Sequence, residues 1–165
     1  FGEMERLGFL RRRRTGERRL LRRDELLSRW TNYYGETFRN KLEPVRFKST
    51  KKTGRWWDEI DLGEFGAVWG GETGGERLTR HLKPAQATIY SNSLLPKLQF
   101  KYRLVRDPSG EFEIVKKFWK FGDLGDVAPP LVIYADLMAT GDERNIETAR
   151  LIYDEYLAED NQAVA

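Results

Sequence analysis

Two helix signals stand back to back over residues 127–157, VAPPLVIYADLMATGDERNIETARLIYDEYL, and any fold of this chain has to accommodate both. Pro129 and Pro130 can open the first helix, because a proline in the first turn lacks only an N–H that would be unpaired anyway. Leu131, Tyr134, Ala135 and Met138 recur behind them at helical spacing. Thr140-Gly141 ends that helix, with glycine just past the C-cap. Asp142 is placed to cap the next one. Ile146, Ala149, Tyr153 and Tyr156 then make an apolar stripe, while Glu147, Arg150, Asp154 and Glu155 mark the solvated side. The stretch predicts a helical hairpin that seals a domain.

The chain in front of this hairpin is long enough to give it a core. It has 165 residues, 39% of them hydrophobic, with five Trp and nine Phe. It contains no cysteine, which excludes disulfides and thiolate metal sites and fits a reducing cytosol. No apolar run approaches the ~20 residues of a membrane span. The expected location is cytoplasmic.

Charge is unevenly placed. Residues 1–60 hold 17 Lys+Arg against 9 Asp+Glu, a net of +8, and residues 61–165 hold 12 against 17, a net of −5. A basic front on an acidic body suggests a polyanion partner for the front end. The chain opens on Phe1, and FGEMERLGFL reads as the last turns of a helix stopped at Gly8, so the beginning of this unit is expected upstream. In FLRRRRTGERRLLR, Thr15-Gly16 is a turn between two short arms, with Phe9 and Leu10 on one and Leu20 and Leu21 on the other. Asp24 then caps a helix whose inner face is Leu27, Trp30 and Tyr34. A helix end, an arginine hairpin and a capped helix form the close of a winged helix, whose wing lies along DNA phosphates or the minor groove. Arg11, Arg12, Arg13, Arg14, Arg18 and Arg19 are the candidate DNA contacts, and the recognition helix would precede Met4. A solvated arginine hairpin without a specific partner is the competing reading.

The boundary to the next unit is expected near residues 42–44, giving a winged-helix remnant at 1–43, a second domain at 44–160 and a disordered tail at 161–165. KSTKKTGR is a loop or the tip of a hairpin between Val45-Arg46-Phe47 and Trp56-Trp57. Its Lys51, Lys52 and Arg55 form a second candidate DNA patch. The adjacent tryptophans can stack on bases, but at least one is expected in the core. Ala67-Val68-Trp69 is a short strand, followed by the glycine-rich turn GGETGGE and a helix carrying Leu78 and Leu82. Such a turn can cradle phosphate, yet this one has Glu72 and Glu76 and no lysine, so tight strand-to-helix packing is the expectation. His81 is the single histidine and has no metal-binding partner of its kind. AQATIY is a strand. LLPKLQFKYRLVRD carries both a helical start at Ser93 and Pro96 and a strand-like alternation, and is assigned as helix over 94–102. Asp107-Pro108-Ser109-Gly110 is a turn, and FEIVKKF is a strand.

No catalytic constellation emerges, and neither a cofactor nor a bound metal is expected. A metal-dependent nuclease of the restriction type would want an acid followed by Glu-x-Lys on a strand. Asp107 with Glu113 and Lys116 comes near, but the extra residue puts Lys116 on the opposite face from Glu113. Asp136, in YADL, is expected to make a hydrogen bond inside the fold, with Arg144 as its candidate partner.

Two stretches carry a resemblance: WGGETGGERLTRHLKPAQATIY, and residues 118–157 around PPLVIYADLMATGDERNIETARLIYDEYL. They resemble the AbiEi antitoxins of type IV toxin–antitoxin systems, in the branch of transcriptional regulators. The likeness covers residues 1–157 and is strongest over 66–157. It implies an N-terminal winged helix-turn-helix that represses its own operon, a C-terminal domain needed for antitoxicity, DNA of the operon promoter as partner, and a nucleotidyltransferase toxin countered without a stable complex. It supplies no catalytic residues. The expected fold class is α+β with an α/β-like order: a winged-helix remnant, then a mixed sheet flanked by helices, closed by the C-terminal helical hairpin. The expected function is a DNA-binding autorepressor and antitoxin. The alternatives are a degenerate nuclease-like enzyme with Glu72, Asp107 and Glu113 around a metal, and a non-catalytic protein-interaction module.

Overall fold

The computed structural model describes residues 23–158, together with the backbone of residues 10–12 and 18–20. The helix end expected before Gly8, the Thr15-Gly16 turn and the 161–165 tail lie outside the described residues. The two arms of the arginine hairpin are β1 (Leu10–Arg12) and β2 (Arg18–Leu20), paired antiparallel with Leu10 opposite Leu20, Arg11 opposite Arg19 and Arg12 opposite Arg18.

The next helix, α1 (Arg23–Tyr33), runs through a π-helical turn (Tyr34–Phe38) into α2 (Arg39–Lys41). Asp24 lies in its first turn, beyond the cap position, and accepts a hydrogen bond from the Tyr153 hydroxyl. Then follow β3 (Val45–Ser49), two 3₁₀ turns (Trp56–Glu59 and Leu62–Phe65), β4 (Val68–Gly70), α3 (Gly71–Thr79), β5 (Ala87–Ser91), α4 (Pro96–Lys101), β6 (Leu104–Arg106) and β7 (Phe112–Lys116). The helical hairpin closes the chain as α5 (Pro130–Ala139) and α6 (Glu143–Ile152), and α6 ends in a second π-helical turn (Tyr153–Leu157).

The body is thus α+β, with a mixed five-stranded sheet in the order β4-β5-β7-β3-β6. Only β5 and β7 are parallel. Strand alternation divides the interior into two cores. Phe47, Trp69, Ile89, Phe112 and Ile114 point to one face, where Trp56, Trp57, Leu98 and Tyr102 cover them. Val68, Tyr90 and Val115 point to the other, under Tyr34, Val132, Ile133, Leu137 and Ile152. No helix among the described residues is long and apolar enough to cross a membrane.

The structure corrects several local expectations. Trp56 and Trp57 do not form a strand. Neighbours on a strand face opposite sides of the sheet, whereas the 3₁₀ turn brings both into one core, at 3% and 2% exposure. The ambiguous segment is both things in turn: helix over Pro96–Lys101, then strand over Leu104–Arg106, with Arg103 at positive φ between them. The glycine-rich stretch is the first two turns of α3, not a loop. A Cβ on Gly74 would sit 2.7 Å from Cδ1 of Ile133, so glycine there lets α3 press directly on α5. In the closing hairpin, Asp142 caps α6 through the N–H groups of Arg144 and Asn145, after Gly141 at φ 69°. The buried residues of α5 are Val132, Ile133, Ala135, Asp136 and Leu137, while Leu131, Tyr134 and Met138 are half-buried. A helix packed on several sides has no single inner stripe.

Candidate functional site

Three strand residues on the helical side of the sheet are polar where the pattern asks for apolar ones. Arg46 lies between Val45 and Phe47, Thr88 between Ala87 and Ile89, and Glu113 between Phe112 and Ile114. The ladders set Arg46 beside Glu113 and Glu113 beside Thr88, so the three form a row across β3, β7 and β5. Glu113 is 4% exposed. Its partners are Arg39 at the start of α2, the Thr88 hydroxyl at 3.0 Å and the Arg46 guanidinium at 3.7 Å.

Arg39 also reaches α5. Its Nε donates to Oδ1 of Asp136 at 3.1 Å. Asp136, 4% exposed, accepts in addition from the Tyr34 hydroxyl at 2.6 Å, the Tyr90 hydroxyl at 2.8 Å and the backbone N–H of Gly71 at 3.0 Å. The two tyrosine hydroxyls also touch each other. One guanidinium thereby holds two buried carboxylates, on β7 and on α5. Buried charges persist only when paired and hydrogen-bonded in this way.

The electrostatics follow from that pairing. Burial pushes the Glu113 carboxyl up, but Arg39, Arg46 and Thr88 outweigh it and hold the group below its ordinary value. Burial also opposes the charge on Arg39, and Asp136 and Glu113 overcome it, so the guanidinium stays charged. Burial and the nearby Asp136 push both Tyr34 and Tyr90 up, which keeps them neutral. A partly open cavity of about 240 Å³ lies over the network, between the π-helical turn with α2, the start of α3 and the end of α5. A second opening of about 610 Å³, towards β6, shares Arg39, Asn40, Arg46 and Glu113 with it.

Among the residues singled out in the sequence, Arg11, Arg12, Arg18 and Arg19 occupy the β1–β2 ladder, while Arg13 and Arg14 lie outside the described residues. Lys51 is exposed, Lys52 pairs with Glu59 at 3.3 Å, and Arg55 pairs with Asp58 at 3.1 Å and Glu76 at 2.8 Å. The carboxylates Glu72, Asp107 and Glu113 are not gathered around a common point. Glu72 binds Arg144, Asn145 and the Ala85 N–H, Asp107 holds its own turn through Ser109, and Glu113 belongs to Arg39. Among the described residues no group of three or more His, Cys, Asp or Glu side chains is arranged to hold a metal ion. Asp136 is indeed a hydrogen-bonding residue of the fold, but its partners are the two tyrosines, Arg39 and Gly71. Arg144, at a helix start on the surface, reaches Glu72 and the Lys83 carbonyl instead. Arg39 and Arg46 are not legible as a pair in the sequence. The available signal is a charged residue alternating with core residues on a strand, as at Arg46 and Glu113.

The family model of the AbiEi antitoxins, transcriptional regulators of type IV toxin–antitoxin systems, matches residues 19–158. The chain belongs to this family. The match begins in β2 and ends just past the second π-helical turn, so it takes in α1, the whole sheet and the polar network. The AbiEi family is one of antitoxins and transcriptional regulators. No curated protein and no solved structure matches the chain.

Proposed function

We propose that the chain is an autorepressor and antitoxin that uses its arginine hairpin to hold DNA phosphates and its α+β body for antitoxicity. The observation that carries this reading is the family match over residues 19–158. The hairpin register supports the DNA contact. Two successive positions pair arginine with arginine, Arg11 with Arg19 and Arg12 with Arg18. Like charges opposite one another weaken a ladder unless an anion lies alongside. Arg13 and Arg14 are counted with these arginines from the sequence, and Lys51, Lys52 and Arg55 are proposed as a secondary patch. Residues 1–43 act as the close of the winged helix, 44–160 as the antitoxin domain and 161–165 as a tail. The functional partner is a nucleotidyltransferase toxin, countered in the cytoplasm without a stable complex.

A mobility-shift titration tests the reading, with DNA from upstream of the protein's own operon set against scrambled DNA at two salt concentrations. The variant Arg11→Gln/Arg12→Gln/Arg18→Gln/Arg19→Gln is expected to bind all DNA more weakly. Its salt slope should fall by about 0.9 for each phosphate the variant no longer neutralises. An unchanged slope overturns the wing assignment. Co-expression with the toxin of the same operon tests the other half: growth rescued by the hairpin variant separates antitoxicity from DNA binding.

A further inference from the structure

The two guanidiniums of the polar network differ from its carboxylates in one respect: they have donors to spare. Glu113 already receives Arg39, Arg46 and Thr88, and Asp136 receives Tyr34, Tyr90, Arg39 and Gly71. A guanidinium carries five N–H donors. Three of those on Arg39 are engaged with Glu113 and Asp136, which leaves two without a hydrogen bond among the described residues. Arg46 donates one, to the Gly110 carbonyl at 3.1 Å, which leaves four; its ion pair with Glu113, at 3.7 Å, is longer than a hydrogen bond. Both side chains are partly exposed and line both the 240 Å³ cavity and the adjoining opening.

We propose that Arg39 and Arg46 form a binding site for the phosphate group of a small phosphate monoester. Arg46 keeps enough free N–H donors to match two phosphate oxygens in paired hydrogen bonds, Arg39 can add a single one, and a tetrahedral group can engage both arginines at once. The cavity is larger than a bare phosphate ion fills. Its walls carry Asn40, Gln86 and Thr140, amides and a hydroxyl suited to the hydroxyls of a sugar-sized organic group. The site lies on α2 and β3, past the π-helical turn, and its ligand takes the donors that Glu113 and Asp136 leave free. The site stands independently of the DNA-binding proposal.

The test uses the full chain in a chloride-poor buffer. Isothermal titration calorimetry compares ribose 5-phosphate, inorganic phosphate and ribose, and NMR follows the arginine Nε–H signals. Ribose 5-phosphate is expected to bind and to move two arginine signals, and ribose to do neither. Inorganic phosphate binding as tightly, with the same dependence on the variants, supports the phosphate site with the free ion as occupant. Arg46→Gln should weaken binding at least about tenfold, the scale of one charge-assisted hydrogen bond. Gln86→Glu places a negative charge on the exposed rim without touching the network, and should weaken binding while leaving the melting temperature unchanged. If Arg46→Gln does not fold, Gln86→Glu decides alone. Absence of heat and of signal shifts at millimolar ribose 5-phosphate and phosphate overturns the proposal. So does equal affinity in the folded variants.

Discussion

At the scale of single residues, Arg39 carries the heaviest responsibility in this molecule. Removing it strands two carboxylates, Glu113 and Asp136, each 4% exposed. Breaking a buried pair from one side typically costs ~3–5 kcal/mol, and here one side chain serves two partners. Arg39→Met is therefore expected to lower unfolding free energy by at least that amount in urea titrations, and Arg39→Lys to recover only part, since an ammonium cannot span both carboxylates in forked geometry. Glu113 sets an acid limit. Its folded pKa lies below the ordinary value of 4.5, so its contribution is fully present above that pH and is lost as pH falls through the folded value. Stability should decline on acidification below about 4.5, and Glu113→Gln should flatten that decline while lowering stability near neutrality. The tyrosines set an alkaline limit of the opposite sign. Tyr34 and Tyr90 are held neutral above their ordinary value of 10.0, so stability should fall once pH rises past 10.0, where the unfolded chain ionises first. Tyr90→Phe should weaken that alkaline dependence in the same titrations.

At the scale of elements, α3 and α5 are fitted to each other through an absence of side chain. Gly74 faces Ile133, with no room for a methyl group between them: a Cβ would also lie 3.2 Å from the Trp69 carbonyl oxygen. Gly74→Ala is expected to destabilise by about 1–3 kcal/mol despite alanine's better helix propensity, because overpacking outweighs the propensity gain. Ile133→Val should recover part of the loss, a coupling that a double-mutant cycle measures directly. The π-helical turn over Tyr34–Phe38 has a comparable logic. It carries Tyr34 and Arg39 at its two ends, and both reach Asp136. At the other end of α1, Arg23 donates to the Leu157 carbonyl and Asp24 accepts from Tyr153. The helix that follows the arginine hairpin is thus tied to the body by polar contacts at both ends, with Trp30, Tyr34 and Phe38 packed on the core between them.

At the scale of the whole molecule, the sheet separates two kinds of interior. The face covered by Trp56, Trp57 and α4 is apolar and aromatic, with Trp56 5.0 Å from Phe112 and 5.5 Å from Tyr102. The helical face mixes an apolar core with the charged network and its cavity. Because Trp56 and Trp57 are both buried, neither is offered to a nucleic acid base. DNA binding is expected to leave their fluorescence unquenched; quenching that survives Trp30→Phe and Trp119→Phe and disappears in Trp56→Phe would contradict this. The charge asymmetry of the chain, +8 over residues 1–60 and −5 over residues 61–165, also belongs to this scale. On the proposed reading, neutralising the hairpin weakens binding to DNA and leaves antitoxicity in place. Substitutions in the network should act on stability first.

Local rules sufficed for much of this protein. Sequence alone determined the closing helical hairpin with its Pro129-Pro130 opening and Asp142 cap, the arms of the arginine hairpin, most strands and the family, because caps, turns and periodicity act over a few residues. Tertiary structure decided what those rules leave undetermined. Trp56-Trp57 became a 3₁₀ turn because both side chains had to enter one core. Residues 71–75, GETGG, became helix because the close approach of α5 rewards glycine, a contact between residues about 60 apart in the chain. Asp136 meets Tyr34, Tyr90 and Arg39 rather than the nearby Arg144 because it is on the buried side of α5, packed against the π-helical turn, α2 and β5, while Arg144 starts the next helix at the surface. Arg39 and Arg46 are each unremarkable in the sequence. They become a site only where the sheet aligns β3 with β7 and the π-helical turn brings the end of α1 over that row, a juxtaposition that no short-range pattern encodes.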